Sequence, residues 1–409
     1  MQNVMALILA GGRGARLSPL TLHRAKPAVP FGGHYRIIDF TLSNCLNSGI
    51  RKIAVLTQYK SLSLDNHIRI GWNVINPELG EFLISIPPQQ RVGEDWYTGT
   101  ADAVFQNLYF IQQVNPELLL VLSGDHIYKM DYSEMLAYHE ERRADVTLGS
   151  IEVDIVSASR FGILEVDQDH RVKGFEEKPV EPRPYPPKTS TCLASMGVYL
   201  FNVKTLAGYL NGDAERPTSH DFGKDIIPQM VKETRVFAYE FLDKNKKIVK
   251  YWRDIGTLDA YWESNMDLVS VDPIFNLYDQ DWPIRTYHGP FPPAKFVFAE
   301  EFRDGRLGIA LDSIICNGCI ISGARVQHSV VSPNVRIEDN SVIQDSVIME
   351  RVKIGQRCRV RKAILDKDVH LPDKTEIGYD EESDKKRFMT SESGIVIVSK
   401  EMLNNETNT

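Results

Sequence analysis

Residues 314–377 read IICNGCIISGARVQHSVVSPNVRIEDNSVIQDSVIMERVKIGQRCRVRKAILDKDVHLPDKTEI. Within them Ile314, Ile320, Val326, Val331, Ile337, Ile343, Ile348, Ile354, Val360, Leu365, Leu371 and Ile377 follow one another at steps of five or six residues, and all twelve are aliphatic. A helix repeats every 3.6 residues and a half-buried strand every two, so neither explains this spacing. One aliphatic side chain about every six residues is the pattern of a hexapeptide β-helix. Each flat face sends one side chain into a central stack, and three faces close a coil, here predicted mostly at 17 residues. Such a stack has open ends that need capping and a side that readily packs on another domain or subunit.

Immediately upstream, residues 272–295 contain Pro273, Pro283, Pro290, Pro292 and Pro293 and show neither period, which predicts an interdomain linker. Before it, short apolar runs at Val4–Leu9, Ile53–Thr57, Leu118–Leu122 and Val146–Ser150 alternate with helical spacing over Ile37–Asn47, Ala101–Gln113 and Tyr132–Arg143. Strands alternating with helices predict a largely parallel sheet covered on both faces, with ligands at the carboxyl ends of its strands. The proline-dense PVEPRPYPP at 179–187 is expected as a surface excursion. The fold class read from the chain is α/β. A mostly parallel Rossmann-like sheet occupies residues 1–271, the linker 272–295, and a left-handed parallel β-helix with a C-terminal tail 296–409.

A chain of 409 residues with 43% apolar and 25% charged residues is long enough for two or three domains and a sizeable core. Its 47 Lys and Arg against 55 Asp and Glu give a net charge of −8, which argues against a nucleic-acid-coating protein. No run of 18 apolar residues is present, so no membrane-spanning helix is expected. The opening MQNVMALILAGG lacks a basic n-region and reads as a first core strand rather than a signal peptide. Five cysteines (45, 192, 316, 319 and 358) do not make a disulfide framework, and a reducing cytoplasm is the expected compartment.

The chemistry concentrates at strand ends. After Val4–Leu9 comes Ala10-Gly11-Gly12-Arg13-Gly14-Ala15-Arg16, followed by Arg24 and Lys26, with no acidic residue before Asp39. Glycines let backbone N–H groups approach a ligand closely, and several cations beside them suit a polyphosphate. Neither the dinucleotide fingerprint nor the Walker A spacing is present. After Leu118–Leu122 comes Ser123-Gly124-Asp125-His126, and a second aspartate, Asp254, stands in YWRDIGT. Two aspartates bridged by Mg²⁺ would neutralise charge on a triphosphate. His126 alone carries little weight. Cys316-x-x-Cys319 lacks two further ligands in good position and is read as packing. Arg351, Lys353, Arg357, Arg359, Arg361, Lys362 and Lys367 form a basic run that reads either as a solvated face or as an anion site turned toward the first domain.

The run LAGGRGARLSPLTLHRAKPAVPFGGHYRIIDF resembles the nucleotide signature of the sugar-phosphate nucleotidyltransferases. The blocks WYTGTADAV, SGDHIYKMDY, GFEEKP, SMGVYLF, HDFGKDIIP, YWRDIGTLDAYWESNMDL and WPIRTY, with the β-helix, resemble its glucose-1-phosphate adenylyltransferase branch along essentially the whole chain. The resemblance implies adenylyl transfer from ATP to α-D-glucose 1-phosphate. It gives ADP-glucose and pyrophosphate, the committed step of glycogen synthesis, by in-line attack without a covalent enzyme intermediate. It implies that Gly11, Gly12 and Gly14 cradle phosphate and that Arg16 and Lys26 are the phosphate-binding pair. It likewise implies that Asp125 and Asp254 hold Mg²⁺, with Arg16, Lys26 and Asp125 as the catalytic set and Tyr97 at the ATP. Tyr97, Gly162, Glu177, Lys178, Ser195, Tyr199 and Asp221 match the sugar-phosphate side. An anionic metabolite as effector, matched by Arg24, Arg36, Lys367 and Lys400, and a homotetramer are implied in the same way. The chain carries His23 and Pro30 where enterobacterial relatives carry lysine and histidine, which weighs against fructose 1,6-bisphosphate as activator. Two other readings share the architecture. Bifunctional uridylyltransferase/acetyltransferases carry a far longer β-helix with its own active site, against roughly 65 residues of repeat here. Non-catalytic relatives have no need of Arg16, Lys26, Asp125, Lys178 and Asp254 together.

Overall fold

The computed structural model describes residues 3–89, 96–247, 249–299 and 306–406. Strands Leu118–Ser123, Val4–Ala10, Lys52–Thr57 and Phe82–Ile86 lie side by side and parallel. Val4–Ala10 is buried on both faces. Ala6, Ile8 and Ala10 join the core on one side, and Met5 and Leu7 the core on the other. That is why this strand reads as an unbroken apolar run rather than an alternation. The sheet is mixed rather than parallel throughout, because Thr191–Asn202 runs antiparallel to Leu118–Ser123, Val146–Asp154 and Gly162–Val166. The helix expected over Ala101–Gln113 is two helices, Thr100–Phe105 and Leu108–Val114. Between them the Asn107 side chain donates to the Ala103 carbonyl (2.8 Å) and to the Tyr97 hydroxyl (3.0 Å), and its own N–H turns back to Val104. A residue that satisfies the backbone locally interrupts the helical ladder.

The Thr191–Asn202 strand changes register between Ser195 and Tyr199, with Gly197 at φ +68°. A Cβ there would sit 3.5 Å from His126 Cε1 and 3.7 Å from Ser123 Cβ. The bulge therefore brings this strand against the end of Leu118–Ser123, where the first-domain chemistry lies.

The C-terminal strands form three parallel sheets, one per face of a coil. Ile337, Ile354 and Leu371 align on one face, Val326, Ile343, Val360 and Ile377 on the second, and Val331, Ile348 and Leu365 on the third, all buried. Two of the twelve expected stack positions are displaced. Ile315 and Ile321, not Ile314 and Ile320, pair with Val331 and Ile337, so these two steps span sixteen residues rather than seventeen. The corners follow the same rhythm. His328, Asn334, Asn340, Asp345, Arg351, Arg357, Lys362, Asp368 and Lys374 all have positive φ, at steps of five or six.

The third face is apolar on both sides. Val330, Val347, Ile364 and Ile397 turn outward and join Leu17, Leu20, Val29, Phe40, Tyr261 and Met266 of the first domain in one core, with Ile314 against it. At about 25 cal/mol per Å² of apolar surface, such a face favours a fixed contact between the two parts. Residues 272–294 hold no helix or strand, yet they are strapped down. Trp282 Nε1 donates to Asn44, Thr286 Oγ1 to Asp39, and Lys129, fully buried, donates to the Asn276 carbonyl.

Candidate active site

Three strand ends converge on a cleft of about 390 Å³ lined by Gly11, Gly12, Lys26, Gln58, Tyr97, Asp125 and Asp221 among others. Val4–Ala10 delivers the glycines. Nothing stands within 4 Å of where a Gly12 Cβ would be, so its backbone is open to a ligand, whereas Gly14 takes the left-handed conformation (φ +60°) that turns the chain. Leu118–Ser123 delivers Asp125. Asp254, distant in sequence, arrives because Trp252–Asp254 pairs antiparallel with His126–Tyr128, placing Asp254 opposite His126. Gly256 packs against both Asp254 and the exposed Arg16. A Cβ there would meet Asp254 Oδ2 at 3.2 Å and Arg16 Nη2 at 3.4 Å.

Lys26 is buried, and its ammonium bridges the two carboxylates, 2.5 Å from Asp125 Oδ2 and 3.0 Å from Asp254 Oδ1. The Ser123 hydroxyl donates to the other oxygen of Asp125. Burial works against charge on both sides, but the pairing outweighs it. Asp125 and then Asp254 raise the Lys26 pKa, while Lys26 and then His126 hold the Asp125 carboxyl well below the usual carboxylate range. Ligand atoms of Asp125, His126 and Asp254 lie within 4.8 Å of one another. Two hard carboxylate oxygens fit a divalent cation, and the imidazole adds a softer donor. His126 is the member of this group that sequence reading passed over. Its ring stands edge-on to Trp252 at 5.2 Å and under the bulge glycine, Gly197. Gln58, just past the Lys52–Thr57 strand, is a second omission. Its place at a strand's carboxyl end was the available signal.

The residues expected on the sugar-phosphate side gather beside this cleft. Glu177 pairs with Gly162 across Val172–Glu177 and Gly162–Val166, and a Cβ on Gly162 would lie 2.9 Å from Glu177 Oε2. A Cβ on Gly223 would meet the same oxygen at 2.6 Å, so Glu177 lies against the segment after Asp221. Asp221 Oδ1 accepts from the Gly223 and Lys224 N–H groups, and its Oδ2 accepts from Thr100. Ser195 Oγ donates to the Tyr199 hydroxyl at 3.2 Å, within the bulge that touches His126. Lys178, at φ +53°, is largely exposed and pairs with Glu177 at 2.9 Å.

A nucleotidyl transferase family model matches residues 5–271, and a GlmU-like, C-terminal hexapeptide model matches residues 292–398. A glucose-1-phosphate adenylyltransferase of Methylococcus capsulatus is 53% identical over 98% of this chain and 94% of that protein. Those of Koribacter versatilis and Rhodopirellula baltica are each 52% identical over 98% of this chain, covering 96% and 90% of their own lengths. The chain belongs to the glucose-1-phosphate adenylyltransferase family.

In this adenylyltransferase-family chain a second, interdomain cavity of about 490 Å³ is lined by Arg24, Arg36, Arg351 and Lys367, with His34, His67 and Glu350. Arg24 is not a free cation. It makes a buried bidentate pair with Asp366 (2.8 and 3.1 Å). Lys367 donates to Glu350 (2.9 Å), and Arg351 binds both Glu350 and Asp368. Arg36 donates to the Ser63 carbonyl and hydroxyl, and burial, the largest influence on it, lowers its pKa. Lys400 is not a lining residue. Its charge, after the larger influence of Arg351, helps to lower the pKa of Asp368, the partner of Arg351. The basic run of 351–367 does not form one face, because seventeen residues make a full coil. Arg359 and Arg361 lie over the Tyr379 ring, while Arg351 and Lys367 turn inward. Cys316 and Cys319 are buried, Cys316 close over Gly33 and Cys319 donating to the Ser332 carbonyl.

Proposed function

We propose that the chain transfers the adenylyl group of ATP to α-D-glucose 1-phosphate, releasing pyrophosphate and ADP-glucose for glucan synthesis. The observation that carries the reading is the pair Asp125 and Asp254, held together around Lys26 at the mouth of an open glycine turn. The backbone at Gly11, which packs against Gln58, and at the open Gly12 offers N–H donors to the polyphosphate, and Arg16 and Lys26 add charge-assisted donors. A divalent ion held by Asp125 and Asp254, which we assign as Mg²⁺, would draw negative charge from the phosphate under attack. Glu177, Ser195, Tyr199 and Asp221 bond sugar hydroxyls, and Lys178 meets the sugar's phosphate. The attacking oxygen is thereby fixed in line with the leaving pyrophosphate, and positioning with charge stabilisation supplies the catalysis.

The interdomain cavity, with Arg24, Arg36 and Lys367 drawn together, supports an anionic metabolite as effector, and the side of the β-helix left free by the first domain supports assembly as a homotetramer. The division at residues 271 and 296 is part of the same reading. Pyrophosphate release, measured with each nucleoside triphosphate in turn and with glucose 1-phosphate present or absent, tests the activity. Release with ATP that depends on glucose 1-phosphate is expected. Preference for UTP, or no release with any nucleotide, would overturn it.

A further inference from the structure

Lys26 stands where a bridging cation would stand. Its Nζ is 2.5 Å from Asp125 Oδ2 and 3.0 Å from Asp254 Oδ1, so one ammonium joins the two carboxylates. Ser123 already holds the other oxygen of Asp125. The lysine is well seated. It begins the Lys26–Ala28 turn, its side chain is nine-tenths buried, and a Cβ on Gly14 would lie 3.1 Å from its own Cβ. Two carboxylates held close together in a partly buried cleft repel, and one ammonium between them removes that repulsion. A divalent ion bridging the same oxygens needs the same lone pairs and carries charge of the same sign as the ammonium, so the two exclude each other. The cleft also supplies the ammonium with an alternative, because Gly11 and Gly12, where a polyphosphate would lie, line the same cavity.

We propose that Lys26 is an internal competitor for the divalent cation, closing the Asp125–Asp254 pair until a polyphosphate gives its ammonium another anionic partner. This rests on reading the cleft as the adenylyl-transfer site. The cation then enters together with the nucleotide, and Lys26 passes from the aspartates to phosphate oxygens. Asp125 and Asp254 are kept in place throughout, first by Lys26 and then by the cation.

The sign of one measurement separates this from a simpler role. If Lys26 were only a brace for the aspartates, removing its charge would loosen them and weaken cation binding. As a competitor, its removal strengthens binding. The experiment titrates the full-length protein, without nucleotide, with Mn²⁺, reading free Mn²⁺ by electron paramagnetic resonance. Lys26→Met, which keeps length and apolar stem, is expected to bind one Mn²⁺ at least about 10-fold more tightly than wild type, since a like charge at bonding distance has been removed. Lys26→Arg retains the charge and should remain as weak as wild type. Adding Asp125→Asn to Lys26→Met should abolish the gain. Equal or weaker Mn²⁺ binding by a folded Lys26→Met would overturn the proposal. So would a wild type that binds equimolar Mn²⁺ completely without nucleotide, a result that needs no variant. Glucose 1-phosphate-dependent pyrophosphate release by the wild type is scored separately, so failure of the activity and failure of the competition are distinguishable.

Discussion

In the cleft at the strand ends one lysine faces two aspartates. In the interdomain cavity Arg24, Arg351 and Lys367 are each matched by a carboxylate, and Arg36 is the lining arginine or lysine with no salt bridge among the described residues. The first arrangement has a surplus of negative oxygens and open backbone donors, which suits a cation and a phosphate arriving together. The second has its charges already paired, so an incoming anion gains net attraction first from Arg36 and must exchange partners elsewhere. Chemistry needs the first kind of site, and a bias between two packings can be set by the second.

The largest effect should come from breaking the first region. Asp125→Asn keeps the shape but removes a charged oxygen ligand, and kcat should fall by about 10² to 10⁴ in a steady-state pyrophosphate assay. Lys26 keeps Asp254 as partner, so the fold should hold in a thermal melt. A kcat near wild type at saturating Mg²⁺ would remove Asp125 from the site. Next, Lys178→Gln should raise KM for glucose 1-phosphate at least about 10-fold by losing a charge-assisted contact, with KM for ATP moving far less. Equal changes in both would place Lys178 elsewhere.

The glycine turn and Asp125 are legible because their chemistry is local, whereas Lys178 is reached only through the family resemblance. A strand followed by Gly11 and Gly12, or by Ser123-Gly124-Asp125, states its own geometry. What joins Asp254 to Asp125 is a three-residue antiparallel ladder between Trp252–Asp254 and His126–Tyr128, and no local spacing encodes such a pairing. His126 carries weight for the same reason, since its ring nitrogen stands 3.5 Å from Asp125 and 3.9 Å from Asp254 only once that ladder has formed. The β-helix period was readable because each coil repeats a corner, yet the first coil slipped by one residue. There Ile314 and Ile315 are both isoleucine, and only contact with the first domain distinguishes the outward from the inward one. The basic run of 351–367 misled as a single face because charge counting ignores that one coil points its residues in three directions.

The interdomain cavity responds to a smaller lever. Arg36→Met removes its unpaired cation while leaving the backbone N–H that Asp39 accepts. It should raise the effector concentration for half-activation, within a coupling of about 1–3 kcal/mol, and by more than Lys367→Ala does. Unstimulated activity should change little in either variant. Arg24→Ala is the poorer test, because it strands the buried Asp366 and should cost stability, about 3–5 kcal/mol for a buried pair broken on one side. The assay is activity against fructose 6-phosphate, fructose 1,6-bisphosphate, 3-phosphoglycerate, pyruvate, AMP and phosphate. Unchanged responses in Arg36→Met and Lys367→Ala would reduce the cavity to a structural seam.

The smallest expected effect is a pH dependence seated in the same cavity. His34 stands edge-on to His288 (4.8 Å) and tilted against Tyr35 (4.5 Å), and its buried Nε2 has no hydrogen-bond partner among the described residues. Burial, with the nearby His288, pushes its pKa down to about 4, and Asp39 only partly opposes this. The unfolded chain would take up the proton near pH 6.5, so between about 6.5 and 4 the unfolded state binds more protons than the folded one. Stability contributed by neutral His34 is therefore complete above about pH 6.5 and is lost as the pH falls toward 4, at most about 3 kcal/mol for a shift of this size. Asp39 spans this seam, holding His67, Trp72 and Thr286 of the interdomain strap as well as the start of the Ile37–Asn47 helix. Protonating His34 should thus loosen the strap before the first-domain sheet. The check is a thermal melt of wild type and His34→Gln at intervals from pH 7 to 4.5. The wild type should lose more Tm than the variant over that range, and parallel curves would show that His34 is not the group that titrates.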